Sequence, residues 1–372
     1  LLSFPTFLNF NAKSRNITFF ISIIILFLFA GLRYETGGDW VMYTHVFNLI
    51  EPINKILLGH EDHFLDINYE FLYKLLNSIV KLFSSDFQIF LLVVQLILSV
   101  LLYKSLKEYS TLPIIAVIVY YSRCMFIFDF VVIRQAIAIL IVFYSLKYLE
   151  SKDIYIYIFL VILASFFHFS AIIMLLVSPF LKRTYSNRLL IIYFMVANAF
   201  VFFKIRWVLG LTKLLINMNI NSLITHKLIK YTADELFSYP SSFSMAVIAN
   251  LIIFIVVIIY REKFNKFKYF NLFLNLFLGY IFFYYFFFEL SMLSKRLNYY
   301  FFISIVVLLP MLIDVFELKM NKFIAYNILC IYLLMGSFNT FMERPSSIAY
   351  NPYQNYLVYK ILNKKSTGYK RF

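Results

Sequence analysis

Nine apolar runs punctuate this chain, at 17–32, 87–103, 112–128, 131–148, 189–205, 243–260, 270–289, 297–314 and 323–341, and a longer one fills 154–181. A hydrocarbon layer about 30 Å thick takes roughly 20 helical residues to cross. Inside it every backbone N–H and C=O must be satisfied within the protein, so continuous apolar runs of this length form helices. Composition points the same way: 62% of the 372 residues are hydrophobic and only 14% charged, against about 45–50% and about 25% in a soluble domain. The mean hydropathy is +0.81. These values predict an all-α, polytopic integral membrane protein with about 10–12 transmembrane helices. It would form one transmembrane domain over 1–372, with two larger external loops at 33–86 and 206–242.

The net charge of +15 does not indicate a nucleic-acid partner. Its positive residues are scattered between apolar runs, with no basic face carrying exposed aromatics. Compact Lys/Arg clusters at 13–15, 104–107, 147–152, 182–188, 261–268 and 319–322 instead serve the positive-inside rule and predict cytoplasmic loops. All six agree when 154–181 is counted as two segments meeting near His168, whether as two tilted spans or as a re-entrant hairpin. The tail from 342, with Lys364, Lys365, Lys370 and Arg371, objects to the external side this assigns to it. Neither the two cysteines nor the five histidines show metal-ligand spacing, and no metal or cofactor is expected. No cleavable signal peptide is evident, and residues 1–12 read as the tail of a preceding helix.

Charged groups near membrane depth are costly and tend to serve function. On the expected external side they are Arg33, Glu35 and Asp39; Arg123, Asp129 and Arg134; His168; and Glu289, Lys295 and Arg296. Arginine matches two phosphate oxygens at once. Asp39, between glycines and an aromatic ring, suits a base acting on a hydroxyl. Plainer roles stand beside these: interfacial anchoring for Arg123, simple packing for His168, and pairing of Asp129 with Arg123 or Arg134. Residues 67–84 place Phe71, Leu75, Ile79 and Leu82 at helical spacing, as in an amphipathic helix lying at the interface or capping a cavity.

Several short segments then occur in an informative order. Arg33-Tyr34-x-x-Gly37-x-Asp39-Trp40-x-x-Tyr43 resembles the RYxxGxDYxxY signature of the EpsG-like, Wzy-type polysaccharide polymerases, with Trp40 in place of the commoner Tyr. Ile133–Ala138 resembles that family's RQxIA segment, and Phe167–Ala171 its FHxSA segment. Ser294–Phe301 resembles its later arginine with trailing aromatics, and Asn351-Pro352-Tyr353 its late PY motif. The resemblance implies a glycosyltransferase of the bacterial inner membrane with its active site on the periplasmic face. It would polymerise undecaprenyl-pyrophosphate-linked oligosaccharide repeat units into O-antigen, capsule or exopolysaccharide. Donor and acceptor glycans would both arrive on membrane lipid, with a flippase and a chain-length co-polymerase as partners. Under that implication Asp39, His168 and Arg134 are the catalytic set, Arg33, Arg134 and Arg296 hold pyrophosphate, and Tyr34, Trp40 and Tyr43 stack on sugars. The rival functions are a flippase or exporter of lipid-linked oligosaccharide and a membrane O-acyltransferase of surface glycans.

Overall fold

A computed structural model describes residues 11–59, 64, 66–151, 153–218, 245–342 and 350–364. Residues 1–10 of the helix tail expected over 1–12, most of the loop expected at 206–242, and Lys365, Lys370 and Arg371 lie outside the described residues. The described residues form helices, turns and one isolated β-bridge, with no strand among them. All-α architecture and a multi-pass membrane protein follow from this together with the apolar surface.

Every apolar run of the sequence carries a helix. Four helices are long and apolar enough to cross a membrane by themselves: α1 (Ala12–Gly31), α4 (Phe87–Tyr109), the continuous stretch Ser294–Asp314, and α15 (Lys319–Met342). A fifth results if α9 (Asn187–Phe202) and α10 (Trp207–Asn217), bent by 71° at their junction, count as one span. The other apolar helices, α11 (Met245–Ile259) among them, are shorter, at 10–17 residues. Three local features depart from regular helix. A five-residue π turn, Tyr121–Met125, follows α5 (Pro113–Tyr120). Pro179 lies in α8 (Ile173–Leu181), and Pro310 lies in α14 (Ile305–Asp314).

The chain divides into two compact units, Leu1–Leu175 with Leu309–Phe372, and Leu176–Leu308. In the first unit α6 (Ile133–Glu150) is central: 13 of its 18 residues are buried. It packs on α4 and on α7 (Ile154–Ser165), while α1 packs on α4 and α5. Ala136 and Ala138 let neighbouring helices approach α6 closely. In the second unit α12 (Phe270–Phe286) packs on α9 and α13 (Ser291–Phe302). There Glu289, one of the shortlisted charges, is buried and accepts from the Val208 and Leu209 N–H groups, both at 2.9 Å. It caps the start of α10, where a negative charge meets free backbone donors.

The stretch 154–181 breaks where expected. Helix α7 ends at Ser165, His168 is extended, and a 3₁₀ turn covers Phe169–Ile172 before α8. The amphipathic helix α3 (Phe71–Val80) is also present, but its orientation is informative. It buries Tyr73, Lys74, Asn77 and Ser78 and exposes Phe71 and Ile79. Its apolar face points outward, as suits a helix lying in a lipid interface rather than one sealing a cavity.

Candidate functional site

The segment following α1 is fixed on both sides. Gly37 has φ +116°, and a Cβ on it would run into the Phe130 carbonyl oxygen. Beyond its value as a turn residue, Gly37 therefore lets this loop lie against the Phe130 backbone. The other side is held by the distant C-terminal segment. Tyr34 N–H donates to the Gln354 carbonyl and Tyr356 N–H to the Leu32 carbonyl, both at 2.8 Å. Tyr353, which follows a cis Asn351–Pro352 bond, stacks on Phe29 with centroids 4.7 Å apart and donates to the Phe29 carbonyl. The first and last motifs of the chain are thus one structural piece. Replacing Gly37 by alanine should lower stability by roughly 1–3 kcal/mol, from backbone strain and the clash together. A lower melting temperature in detergent checks this, and an unchanged one refutes the close approach.

Two charged clusters lie around this segment. The first is buried. Arg33, 2% exposed, donates to the Asp129 carbonyl and places its guanidinium carbon 4.7 Å from the centre of the Phe130 ring. The Asp129 carboxylate accepts from Tyr120 Oη at 2.6 Å and Gln95 Nε2 at 2.9 Å. Burial lowers the Arg33 pKa to about 10, opposed by the Asp129 charge. Burial raises the Asp129 carboxyl to about 6, opposed by its two hydrogen bonds and by Arg33. Asp129 engages neither of the partners expected for it, Arg123 or Arg134.

The second cluster is half-exposed and gathers four chain segments. Arg134, in the first turn of α6, pairs with Glu70, and its guanidinium carbon lies 3.7 Å from the centre of the Tyr69 ring. Tyr43 lies close enough to the same guanidinium to act on it. Tyr43 lies on α2 (Trp40–Leu49), and Asp39, exposed at the N-cap of α2, is close enough to act electrostatically on Tyr43 and Tyr69. Burial raises both tyrosine pKa values, and Arg134 opposes the rise. Glu70 also accepts from Phe169 N–H at 3.4 Å, and Leu72 N–H donates to the Phe166 carbonyl at 3.0 Å. The break in 154–181 is thereby held at the start of α3. Within it His168 Nδ1 is 2.6 Å from Ser170 Oγ.

Of the residues singled out in the sequence, Asp39, Tyr43, Arg134 and the His168 turn come together. Arg33 stands apart in the buried cluster. Trp40 is buried edge-on against Phe87, with centroids 5.1 Å apart, and Tyr34 is half-buried beside Trp40, Tyr356 and Tyr359. Arg296 belongs to the second unit, where it is exposed on α13 near Tyr299. Sequence reasoning missed Glu70 and Tyr69. The available signal was Glu70 itself, the only acidic residue of 67–84, placed immediately before the amphipathic helix. Among the described residues no three His, Cys, Asp or Glu side chains group as metal ligands.

The fold and this arrangement define a multi-pass helical membrane protein whose arginines, carboxylates and rings gather where helices begin and break. The chain belongs to the EpsG family, whose model matches residues 16–355. That membership gives it a polysaccharide-polymerase type of role. No curated protein and no solved structure matches the chain.

Proposed function

We propose that the chain polymerises undecaprenyl-pyrophosphate-linked oligosaccharide repeat units at the periplasmic face of a bacterial inner membrane. The observation that carries this reading is Arg134. It is a guanidinium at the start of the largely buried α6, seated on Tyr69 and surrounded by Glu70, Tyr43 and Asp39. Glycosyl transfer forms a bond from an acceptor hydroxyl oxygen to the donor's anomeric carbon and breaks the bond from that carbon to pyrophosphate. The leaving group departs with the electron pair, and a cationic fork stabilises it. The hydroxyl proton passes to a base, for which Asp39 is exposed and in place, with His168 as the alternative or as an orienting group.

The remaining assignments divide by placement. Half-buried Tyr34 is the ring best available to a sugar, while Trp40 and Tyr43 support the loop from within. Arg33 acts as a brace for the segment that presents Asp39. Arg296 keeps its role as a phosphate cation on the strength of the family motif alone. Donor and acceptor arrive on polyprenyl lipid, and a flippase and a chain-length co-polymerase act beside the polymerase.

In a strain deleted for this gene, complementation with the Asp39→Asn protein should yield lipid capped by single repeat units and no ladder of longer chains. Normal long chains on the gel would remove Asp39 as the base. No surface product at all in the deletion strain would favour a flippase, and full-length but unmodified polymer an acyltransferase.

A further inference from the structure

Arg123 takes no part in either cluster. It sits in the π turn Tyr121–Met125, a distortion frequent at functional sites. Two serines tie this turn to α15: Ser122 Oγ donates to the Leu333 carbonyl at 2.7 Å, and Ser337 Oγ donates to Ser122 Oγ at 3.0 Å. Gly336 of α15 leaves room for the arginine, since a Cβ there would run into its Nη1. The Tyr332 ring, one turn earlier, lies 4.9 Å from the guanidinium carbon. Among the described residues, no carbonyl or carboxylate accepts a hydrogen bond from the guanidinium, and its Nε is buried.

A guanidinium carries five donors, and a buried donor without an acceptor costs about 1–3 kcal/mol, more when charged. Among the described residues the features around Arg123 hold it in place without neutralising it, which leaves room for an anionic acceptor. The flank of α15 indicates what the anion is attached to. Ile328, Ile331, Leu334 and Met335 are exposed there, and only 17% of the helix's apolar window is buried. This flank meets hydrocarbon, which favours an anion carried on an acyl or prenyl chain over a free ion in water. We propose that Arg123, framed by Tyr332 and Gly336, binds the phosphate of a membrane lipid whose tail lies along α15. A planar fork matches two oxygens of such a phosphate. The lipid is an anionic phospholipid or a polyprenyl carrier. The site stands apart from the Arg134 cluster and does not depend on the polymerase reading.

Native mass spectrometry of the full chain in detergent tests this. The probes are phosphatidylglycerol, undecaprenyl phosphate and, as a control without phosphate, diacylglycerol. Arg123→Gln should retain about tenfold less phosphate-bearing lipid than the unaltered protein, the loss expected of one charge-assisted contact. Diacylglycerol retention should not change. Arg123→Lys keeps the charge without the fork, falls between the two, and serves if the glutamine protein does not fold. Loss of undecaprenyl phosphate alone assigns the site to the carrier lipid, and loss of phosphatidylglycerol alone assigns it to a structural phospholipid. Loss of both marks a general lipid-phosphate site. Retention of both lipids at the unaltered level in the variants overturns the proposal.

Discussion

Exchanging Arg134 for alanine should slow polymer formation by roughly 10²–10³-fold, the cost of removing one preorganised donor from a developing negative charge. Lysine should recover only part of this, because a point charge replaces a planar fork. Glu70 sharpens the test. Among the described residues it meets the proposed site through Arg134 and the Phe169 N–H, so it is a positioning residue. Glu70→Ala alone should cost about tenfold, since the guanidinium still rests on Tyr69 and meets Tyr43. The double variant Arg134→Ala/Glu70→Ala should lose less than the two single losses combined, because removing the arginine leaves Glu70 only the Phe169 N–H to hold. Rates measured with lipid-linked repeat units in vesicles decide this. Additive losses would show that Glu70 acts independently of Arg134. An Arg134→Ala protein as fast as the unaltered one would end the assignment.

Asp129→Ala should be the most destabilising single exchange in the first unit, at about 3–5 kcal/mol. It leaves Tyr120 Oη and Gln95 Nε2 without their acceptor, and Arg33 buried without an opposing charge. Asp129→Asn keeps the shape and one acceptor oxygen, so its loss should be smaller. The sign with pH follows from the carboxyl, which titrates near 6 in the fold against its ordinary 3.8. The folded protein holds this proton more tightly, so the contribution to stability is greatest in acid and declines as pH rises through about 6. The asparagine protein should lose that decline. Thermal unfolding in detergent at several pH values reads both effects. An Asp129→Ala protein that melts with the unaltered one would show that the buried cluster does not brace the fold.

What was legible in the sequence was whatever a periodicity or a local signal carries. The apolar runs gave their helices, and the polar trio Ser165, His168 and Ser170 marked the break between α7 and α8. What was illegible was pairing. Arg33 meets Asp129 across 96 positions, and Arg134 meets Glu70 across 64. No spacing rule reaches that far, so arginines that looked equivalent divide into a buried brace and a half-exposed fork. The outward apolar face of α3 misleads for another reason. Hydrophobic patterning identifies the face that avoids water, and beside a bilayer that face need not be the protein's core.

The link between Tyr34 and Gln354 has a topological consequence. Residues joined by a backbone hydrogen bond occupy the same side of a bilayer, so the chain between them must cross it an even number of times. A single crossing by 154–181 would make nine with the other runs between residues 34 and 354, whereas two crossings make ten and a re-entrant hairpin leaves eight. If each of the other eight runs crosses once, a single span over 154–181 does not fit that parity. The same hydrogen bond sets Lys364, three residues past α16 (Tyr356–Ile361), on the side of the loop that carries Asp39.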